Sequence, residues 1–424
     1  MTRQERIAFL EGTDNHRYTP SLAREFELLS ALGDPQKRLR FVHVAGTNGK
    51  GSACACLASI LQAAGYRTGL FTSPHIFEYE ERIAIDGMPI DAARFSLLLE
   101  RIRPVVENMA QRPTTFELLT AAAFLYFAEE KCDIVVLEVG MGGRFDATNV
   151  ITSPLCTVVT PIGLDHTAQL GNSVEAIAGE KSGIIKPHTR VVCAAEDPRA
   201  VAIVKKTCEE RDAAFFGVDF SRITDCRFAP DGTVMSLEPY GEIRLPLLGT
   251  YQPRNALTAI TACEILDHGG VSVPDRAILQ GLAEVVWRGR FELLRRDPLF
   301  ILDGAHNAHG IAAAAESLKT YFPDEKVTFL LGILADKDVD TMLSLLLPLA
   351  ARFVVVTPPS SRAMDSVSLA ACLRESGAQA QVCRSVREGV QTAISLAGKS
   401  GRVCALGSLY FSGDVRNAVF ERKE

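Results

Sequence analysis

Short Val/Ile-rich runs separated by helix-length segments constrain this chain more than any other feature. RFVHVAG (40–46), DIVVLEVG (133–140), PLCTVVTPIG (154–163) and RVVCAA (190–195) read as strands buried on both faces. The stretches near 51–64, 92–110, 116–130 and 198–212 read as helices. Strands without polar alternation, joined by helical crossovers, predict an α/β fold with a mostly parallel sheet and helices on both faces. Over 226–248 the pattern changes to antiparallel strands with Asp231-Gly232 as a turn. Helices return at NALTAITACEILDHGG (255–270) and PDRAILQGLAEVV (274–286). After WRGRFELLRRDPLFILDGAHN, which holds the single tryptophan, a second series begins: LFILDG, KVTFLLGI, RFVVVTPP, AQVCRS and GRVCALGS. This places a domain boundary near 288–290. The expected domains are a larger part over 1–288 and a smaller α/β part over 289–424, each large enough for its own core.

Bulk properties narrow the function classes. The 424 residues are 47% hydrophobic and 23% charged, with a net charge of −6, so a multi-core globular chain is expected. No basic run is present, which argues against nucleic acid as a partner. Anionic small molecules remain compatible, since local lysines and loop N–H groups hold them. LLTAAAFLYFA and VVVTPP are too short or too broken to span a bilayer, and MTRQERIAFLEGTDN has no signal-peptide core. The 11 cysteines contain no C-x-x-C pair and read as reduced, buried thiols of a cytoplasmic protein, with Cys54 and Cys56 as helix fillers.

The stretch HVAGTNGKGS (43–52) lies between a strand and a helix, where free N–H groups favour an anion. It is not a Walker loop as usually written: Val44 stands where the first glycine belongs, and Gly51 separates Lys50 from the hydroxyl of Ser52. Either it is a phosphate loop of another subclass or a glycine-rich turn that contains a lysine. Gly46, Gly49 and Gly51 allow close backbone approach, and Thr47, Asn48 and Lys50 supply polar reach. In LEVGMGGRFDATN, Glu138 closes a strand where parallel sheets present ligands. An acid there suits Mg²⁺, although an isolated acid at a strand end more often faces solvent. His166 of PIGLDHTAQLG follows the next strand and falls on the same edge. AIAGEKSGIIKP offers Lys181 on a helix as a further candidate, which spacing alone does not separate from an ordinary surface lysine. In the C-terminal part, Asp303 and His306 end a strand, and Arg290 sits in the hinge, where it could reach a phosphate. Together they fit an active site between two domains that close on it.

Taken in order, HVAGTNGKGS, SPHIFEYEERI, TTFELLTAAAFLYFA, LEVGMGGRFDATNV, LDHTAQLG, EKSGIIK, YQPRNA, GRFE, DGAHN, DKD and GSLYFSGDVR resemble the folylpolyglutamate synthase/dihydrofolate synthase branch of the Mur ligases. They extend from about residue 41 to residue 416. The resemblance implies an ATP-dependent amide ligase, with a P-loop-type ATP-binding domain over 1–288 and a smaller, Rossmann-like α/β glutamate ligase domain over 289–424. ATP phosphorylates a folate-type carboxylate (dihydropteroate or a tetrahydrofolate), the amine of L-glutamate attacks the acyl phosphate, and phosphate leaves. It implies that Thr47, Asn48, Gly49, Lys50, Gly51 and Ser52 cradle the phosphates, and that Ser52, Ser73, Glu138 and His166 form the shell of two Mg²⁺ ions. Lys181, as a carbamate, would join the second ion. Asn255 corresponds to an adenine contact, Arg290 to the γ-phosphate arginine, Asp303 to a ribose contact and His306 to a residue near the acyl phosphate. Ser408 and Ser412 fall near the incoming glutamate, and Thr115 and Phe116 near the pterin, although an aromatic beside Leu118 and Leu119 is by default core. The family also implies a monomer.

Three positions depart from the family pattern: Tyr251 stands where histidine is frequent, Arg288 where proline precedes the Gly-Arg pair, and DGAHNA where many members have DGAHNP. The rival readings are a sister ligase acting on a non-folate acid and a nucleotide-binding module without catalysis. The second predicts loss of Glu138, His166, Lys181 or Arg290, and all four are present. A GTPase would need an N-K-x-D segment, which is absent.

Overall fold

The apolar runs become the strands of two mainly parallel sheets in the computed structural model, which describes residues 1–12 and 20–420. By chain contacts the protein divides into two units, Met1–Arg222 with Arg254–Val285, and Ile223–Pro253 with Val286–Glu424. The boundary read at 288/289 lies close to the crossing at Val285/Val286. The segment Ile223–Pro253 groups with the C-terminal residues.

The first unit holds β1 (Phe41–Ala45), β2 (Thr68–Phe71), β3 (Ile83–Ile85), β4 (Met88–Pro89), β5 (Ile134–Glu138), β6 (Cys156–Val159), β7 (Arg190–Cys193) and β8 (Ala214–Gly217). Their order is β4-β3-β2-β5-β1-β6-β7-β8, with the pairings from β2 through β8 parallel and those of β3 and β4 antiparallel. Every residue of β1 and β5 is buried, as expected for strands covered on both faces. The register pairs Val44 with Glu138 and Ala45 with Val159. The C-terminal ends of β1, β5 and β6 therefore lie side by side. The loops that follow them, from Gly46, Val139 and Thr160, share one edge of the sheet.

Helix formation follows local chemistry. Thr114 and Glu117 form a reciprocal capping box that starts the helix Thr115–Glu129, whose apolar residues fill the core against β1, β2 and β5. Gly281, on the helix Asp275–Glu284, lets that helix meet Lys50–Ala63 at backbone distance: a Cβ there would lie 2.5 Å from Ile60 Cα. Ser59 Oγ donates to Gly281 O across this contact at 2.7 Å. Strand β2, absent from the periodicity reading, carries Gly69, whose missing side chain leaves room for the Phe127 ring; a Cβ would sit 2.9 Å from Phe127 Cδ1. Lacking that apolar residue, TGLF gives a weak strand signal.

The second unit holds β9 (Ile223–Ala229), β10 (Gly232–Leu237) and β11 (Gly241–Leu245), an antiparallel sheet in the order β11-β10-β9. Its main sheet comprises β12 (Glu292–Arg296), β13 (Leu299–Leu302), β14 (Val327–Leu331), β15 (Ala350–Val355), β16 (Ala380–Val382) and β17 (Arg402–Leu406). The order is β12-β13-β17-β14-β15-β16, parallel except for β12. All eleven cysteines are free thiols, and nine are buried; Cys226 and Cys372 are partly exposed, which corrects the reading of all of them as buried.

Candidate active site

In the first unit, the chain leaves β1 through Gly46 (φ 153°) and Gly49 (φ 85°), and the helix Lys50–Ala63 begins at once. Side chains exclude Cβ atoms at both glycines. One at Gly46 would lie 1.8 Å from Thr160 Oγ1, and one at Gly49 would lie 2.5 Å from Asn255 Oδ1. The loop is tied to the segment after β6. Thr47 N donates to Pro161 O (2.9 Å), Thr47 Oγ1 donates to Gly163 O (3.0 Å), and Thr160 Oγ1 donates to Asn48 O (2.9 Å).

Two lysines converge on this loop. Lys50 Nζ donates to Gly46 O at 3.1 Å and to Thr47 O at 3.2 Å, and Lys181 Nζ donates to the same Gly46 O at 2.7 Å. Lys181 is 5% exposed, so it is not the ordinary surface lysine that spacing alone left open. Burial first, and the charge of Lys50 second, push its pKa down to about 7. The neutral amine is thus well populated at physiological pH.

Glu138, 2% exposed at the end of β5, accepts from Ser73 N at 3.0 Å, so this acid does not face solvent. Ser52 is buried in the first turn of the helix after the loop. His166 has left-handed backbone (φ 49°), and its N–H donates to Asp165 Oδ1 at 2.9 Å, at the start of the helix Thr167–Leu170. A buried carboxylate and a hydroxyl are hard oxygen donors of the kind that suit Mg²⁺. Among the described residues no three His, Cys, Asp or Glu side chains gather into a cage. An Mg²⁺ ion held by one or two protein oxygens and completed by phosphate and water needs none.

Phe116 is partly buried. Its ring lies against Gly140, where a Cβ would come within 2.6 Å of Cζ, and 5.7 Å from the Phe71 ring. Thr115 Oγ1 donates to Leu10 O at 2.6 Å, so this hydroxyl also ties down the end of the helix Arg3–Glu11. Two acids beside this group escaped the sequence reading. Asp146 caps Ala147–Val150 and accepts from Met141 N, Thr148 N and Thr148 Oγ1 at 3.0, 3.0 and 2.6 Å. The Asx-capping pattern Asp-Ala-Thr in FDATN was its available signal. Glu25 is fully buried, and neither carboxyl oxygen has a hydrogen-bond partner. Nothing in the sequence around Glu25 marks it.

In the second unit, neighbouring parallel strands β13 and β17 bring residues 303–307 and 407–412 to one edge. Asp303, 3% exposed, accepts from Tyr251 OH (2.8 Å) and Phe291 N (2.8 Å) on Oδ2, and from Ala305 N (2.7 Å) on Oδ1. His306 Nδ1 lies 2.8 Å from Gly304 O, and Asn307 caps the helix Ala308–Tyr321. Ser408 and Ser412 are buried: Ser408 Oγ accepts from Tyr410 N at 3.1 Å, and Ser412 Oγ donates to Ser408 O at 3.4 Å. Arg290 lines a cavity of about 520 Å³ together with Trp287, Phe291, Leu293 and Arg296. Within each unit, then, the residues named from sequence fall at the C-terminal edge of a parallel sheet, where such folds present ligands.

The chain matches the Mur ligase middle domain over residues 44–263 and the Mur ligase glutamate ligase domain over residues 289–409. It is 38% identical to the dihydrofolate synthase/folylpolyglutamate synthase of Bacillus subtilis, covering 98% of this chain and 99% of that one. A crystal structure of Mycobacterium tuberculosis folylpolyglutamate synthase complexed with ADP and AMPPCP superposes with a TM-score of 0.87 at 33% identity, covering 96% of each chain. The Escherichia coli FolC structure in complex with DHPP and ADP gives 0.87 at 28% identity, over 98% of this chain and 97% of that one.

Proposed function

This chain belongs to the Mur ligase family, in its folylpolyglutamate synthase/dihydrofolate synthase branch, and from that membership we propose that it joins L-glutamate to a folate-type carboxylate at the expense of ATP. The carrying observation is the convergence of Lys50 and Lys181 on the Gly46 carbonyl, at the N-terminus of a helix and on the same sheet edge as Glu138. Two amines sharing one carbonyl oxygen at a helix start call for an anion, or for neutralisation of one amine.

The work of such a site is to hold two anions together. Lys50 and the loop N–H groups receive the phosphates of ATP, and Arg290 offsets the charge that develops on the γ-phosphate. Ser52, Ser73, Glu138 and His166 hold Mg²⁺, which when bound supplies Lewis-acid charge neutralisation at the phosphate oxygens. Lys181, with its lowered pKa, has the free amine needed to take up CO₂. The nitrogen lone pair forms an N–C bond, one proton leaves, and the ammonium site becomes a carbamate anion. That change removes the Lys50–Lys181 repulsion and adds an oxygen donor for a second ion. Asn255, lying against Gly49, orients adenine; Asp303 and His306 face the ribose and acyl phosphate; Ser408 and Ser412 serve the glutamate subsite; Thr115 and Phe116 border the pterin. Among the described residues no helix is long and apolar enough to cross a membrane. With eleven free thiols, the reading carries a cytoplasmic location, and family membership carries a monomer.

The test is phosphate release from ATP with Mg²⁺ and L-glutamate, using dihydropteroate or tetrahydrofolate as acceptor, with the product mass measured in parallel. Release together with a product heavier by one glutamyl unit assigns the step, or both steps. Bound ATP with no release on either acceptor refutes the folate reading in favour of a sister ligase for another acid.

A further inference from the structure

We propose that Tyr251, through Asp303, is the positioning residue that fixes the backbone of Arg290 for its phosphate contact; the proposal rests on the role given to Arg290 above. Arg290 lies between two residues with left-handed backbone, Gly289 (φ 68°) and Phe291 (φ 48°). For a bulky residue such as Phe291 that conformation is an outlier, and it persists only where the surroundings over-determine it. Here they do. Phe291 N donates to Asp303 Oδ2 at 2.8 Å, Gly304 N donates to Gly289 O at 2.9 Å, and Gly289 N donates to Glu292 Oε2 at 2.9 Å. The Phe291 ring is fully buried, 5.3 Å from the Tyr321 ring. The peptide groups on both sides of Arg290 are therefore pinned to residues 303–304. The guanidinium itself lies against Gly304, where a Cβ would come within 2.0 Å of Nη1.

Asp303 holds Phe291 N most strongly as a carboxylate, because a charged acceptor makes the stronger hydrogen bond. Burial pushes its pKa up; the charge of Arg290 and the hydroxyl of Tyr251 oppose that shift. The other groups facing this cluster, Cys404 on β17 and Tyr321, carry no charge to replace them, because burial pushes both pKa values up. Tyr251 OH, at 2.8 Å, thus stabilises the ionised form directly. Without it Asp303 more readily takes a proton, and the Phe291 hold weakens. The left-handed backbone then has less to keep it, and Arg290 loses its fixed origin. The order of cause is hydroxyl, carboxylate, backbone, guanidinium.

The experiment compares Tyr251→Phe and Tyr251→His with wild type in the full-length protein. Tyr251→Phe keeps the ring and removes only the donor; Tyr251→His returns an N–H at that place. Expected for Tyr251→Phe are a kcat lower by about tenfold, a much smaller change in KM for ATP, and an acid limb of the kcat profile moved to higher pH. Tyr251→His should recover much of the loss. Amide hydrogen exchange over 288–293 reads the same hold without turnover, and should speed up in Tyr251→Phe and return toward wild type in Tyr251→His. Unchanged exchange with an unchanged acid limb overturns the proposal, and so does an equal loss in both variants that merely follows melting temperature. If wild type itself forms no glutamyl product, the function above fails, while the exchange comparison still decides whether Tyr251 holds the Arg290 backbone.

Discussion

Glu25 should make this protein less stable as pH rises, and replacing it should reverse that. Its carboxyl is fully buried in the helix Ala23–Ala31, with neither oxygen partnered. Burial pushes its pKa well above the ordinary value, and the nearby Glu117 and Asp146 add to the shift against a smaller opposing effect of Arg24. Those two acids are engaged elsewhere: Glu117 pairs with Arg24 at 3.1 Å and caps Thr114 N, and Asp146 accepts from three donors. Glu25 is therefore held as a neutral acid. A buried polar group without a partner costs about 1–3 kcal/mol. Glu25→Met fills similar space without a polar atom, so the gain should be of that order, or about 2–4 °C in melting temperature per kcal/mol. A second contribution depends on pH. The folded state binds the proton more tightly than the unfolded chain, whose glutamate titrates near ~4.3. The stabilisation that proton contributes is complete below that value and falls as pH rises toward the folded pKa. Glu25→Gln keeps the polar burial and removes the titration, so it should match wild type near pH 4 and exceed it by a widening margin toward pH 8. Urea melts followed by circular dichroism across that range would measure both. A margin that does not change with pH, or variants less stable than wild type at pH 7.5, would mean that Glu25 is ionised and paired, and the reasoning would fail.

Lys181→Ala should abolish turnover and recover part of it with a short-chain carboxylic acid in place of the carbamate. In wild type, activation by added bicarbonate should strengthen as pH rises through about 7, because only the neutral amine reacts; activity indifferent to bicarbonate in CO₂-free buffer would count against the carbamate. Phe116→Ala should raise KM for the pterin substrate more than KM for ATP, and equal effects would return Phe116 to a core role. Gly281→Ala should destabilise the first unit by about 1–3 kcal/mol through overpacking, since the added Cβ would lie 2.5 Å from Ile60 Cα; an unchanged urea midpoint would show that the two helices can part at little cost.

Much of the fold was legible because parallel sheets buried on both faces write themselves as unbroken apolar runs. Strands β1, β5, β6, β7, β13, β14, β16 and β17 fall within runs identified from the sequence, and β15 begins two residues before its run. The glycine turn was legible too, since three glycines and a lysine between an apolar run and a helical segment are a local arrangement. Strand β2 was not, because Gly69 yields its space to a ring from a distant helix, and a window along the chain does not contain that ring.

What the sequence by itself determined is the alternation of strand and helix, the position of the glycine turn, and the order of groups able to bind phosphate and metal. Tertiary structure alone decided their environment. The order β2-β5-β1-β6 sets Glu138 beside the loop from Gly46, a neighbourhood made by pairing residues nearly a hundred positions apart. Burial turned Lys181 from an ordinary cation into an amine with a pKa of about 7. The same packing left Glu25 without a partner and gave Asp303 to Tyr251 and to the strained backbone at Phe291. Periodicity is a property of neighbours in the chain; solvation and charge are properties of neighbours in space.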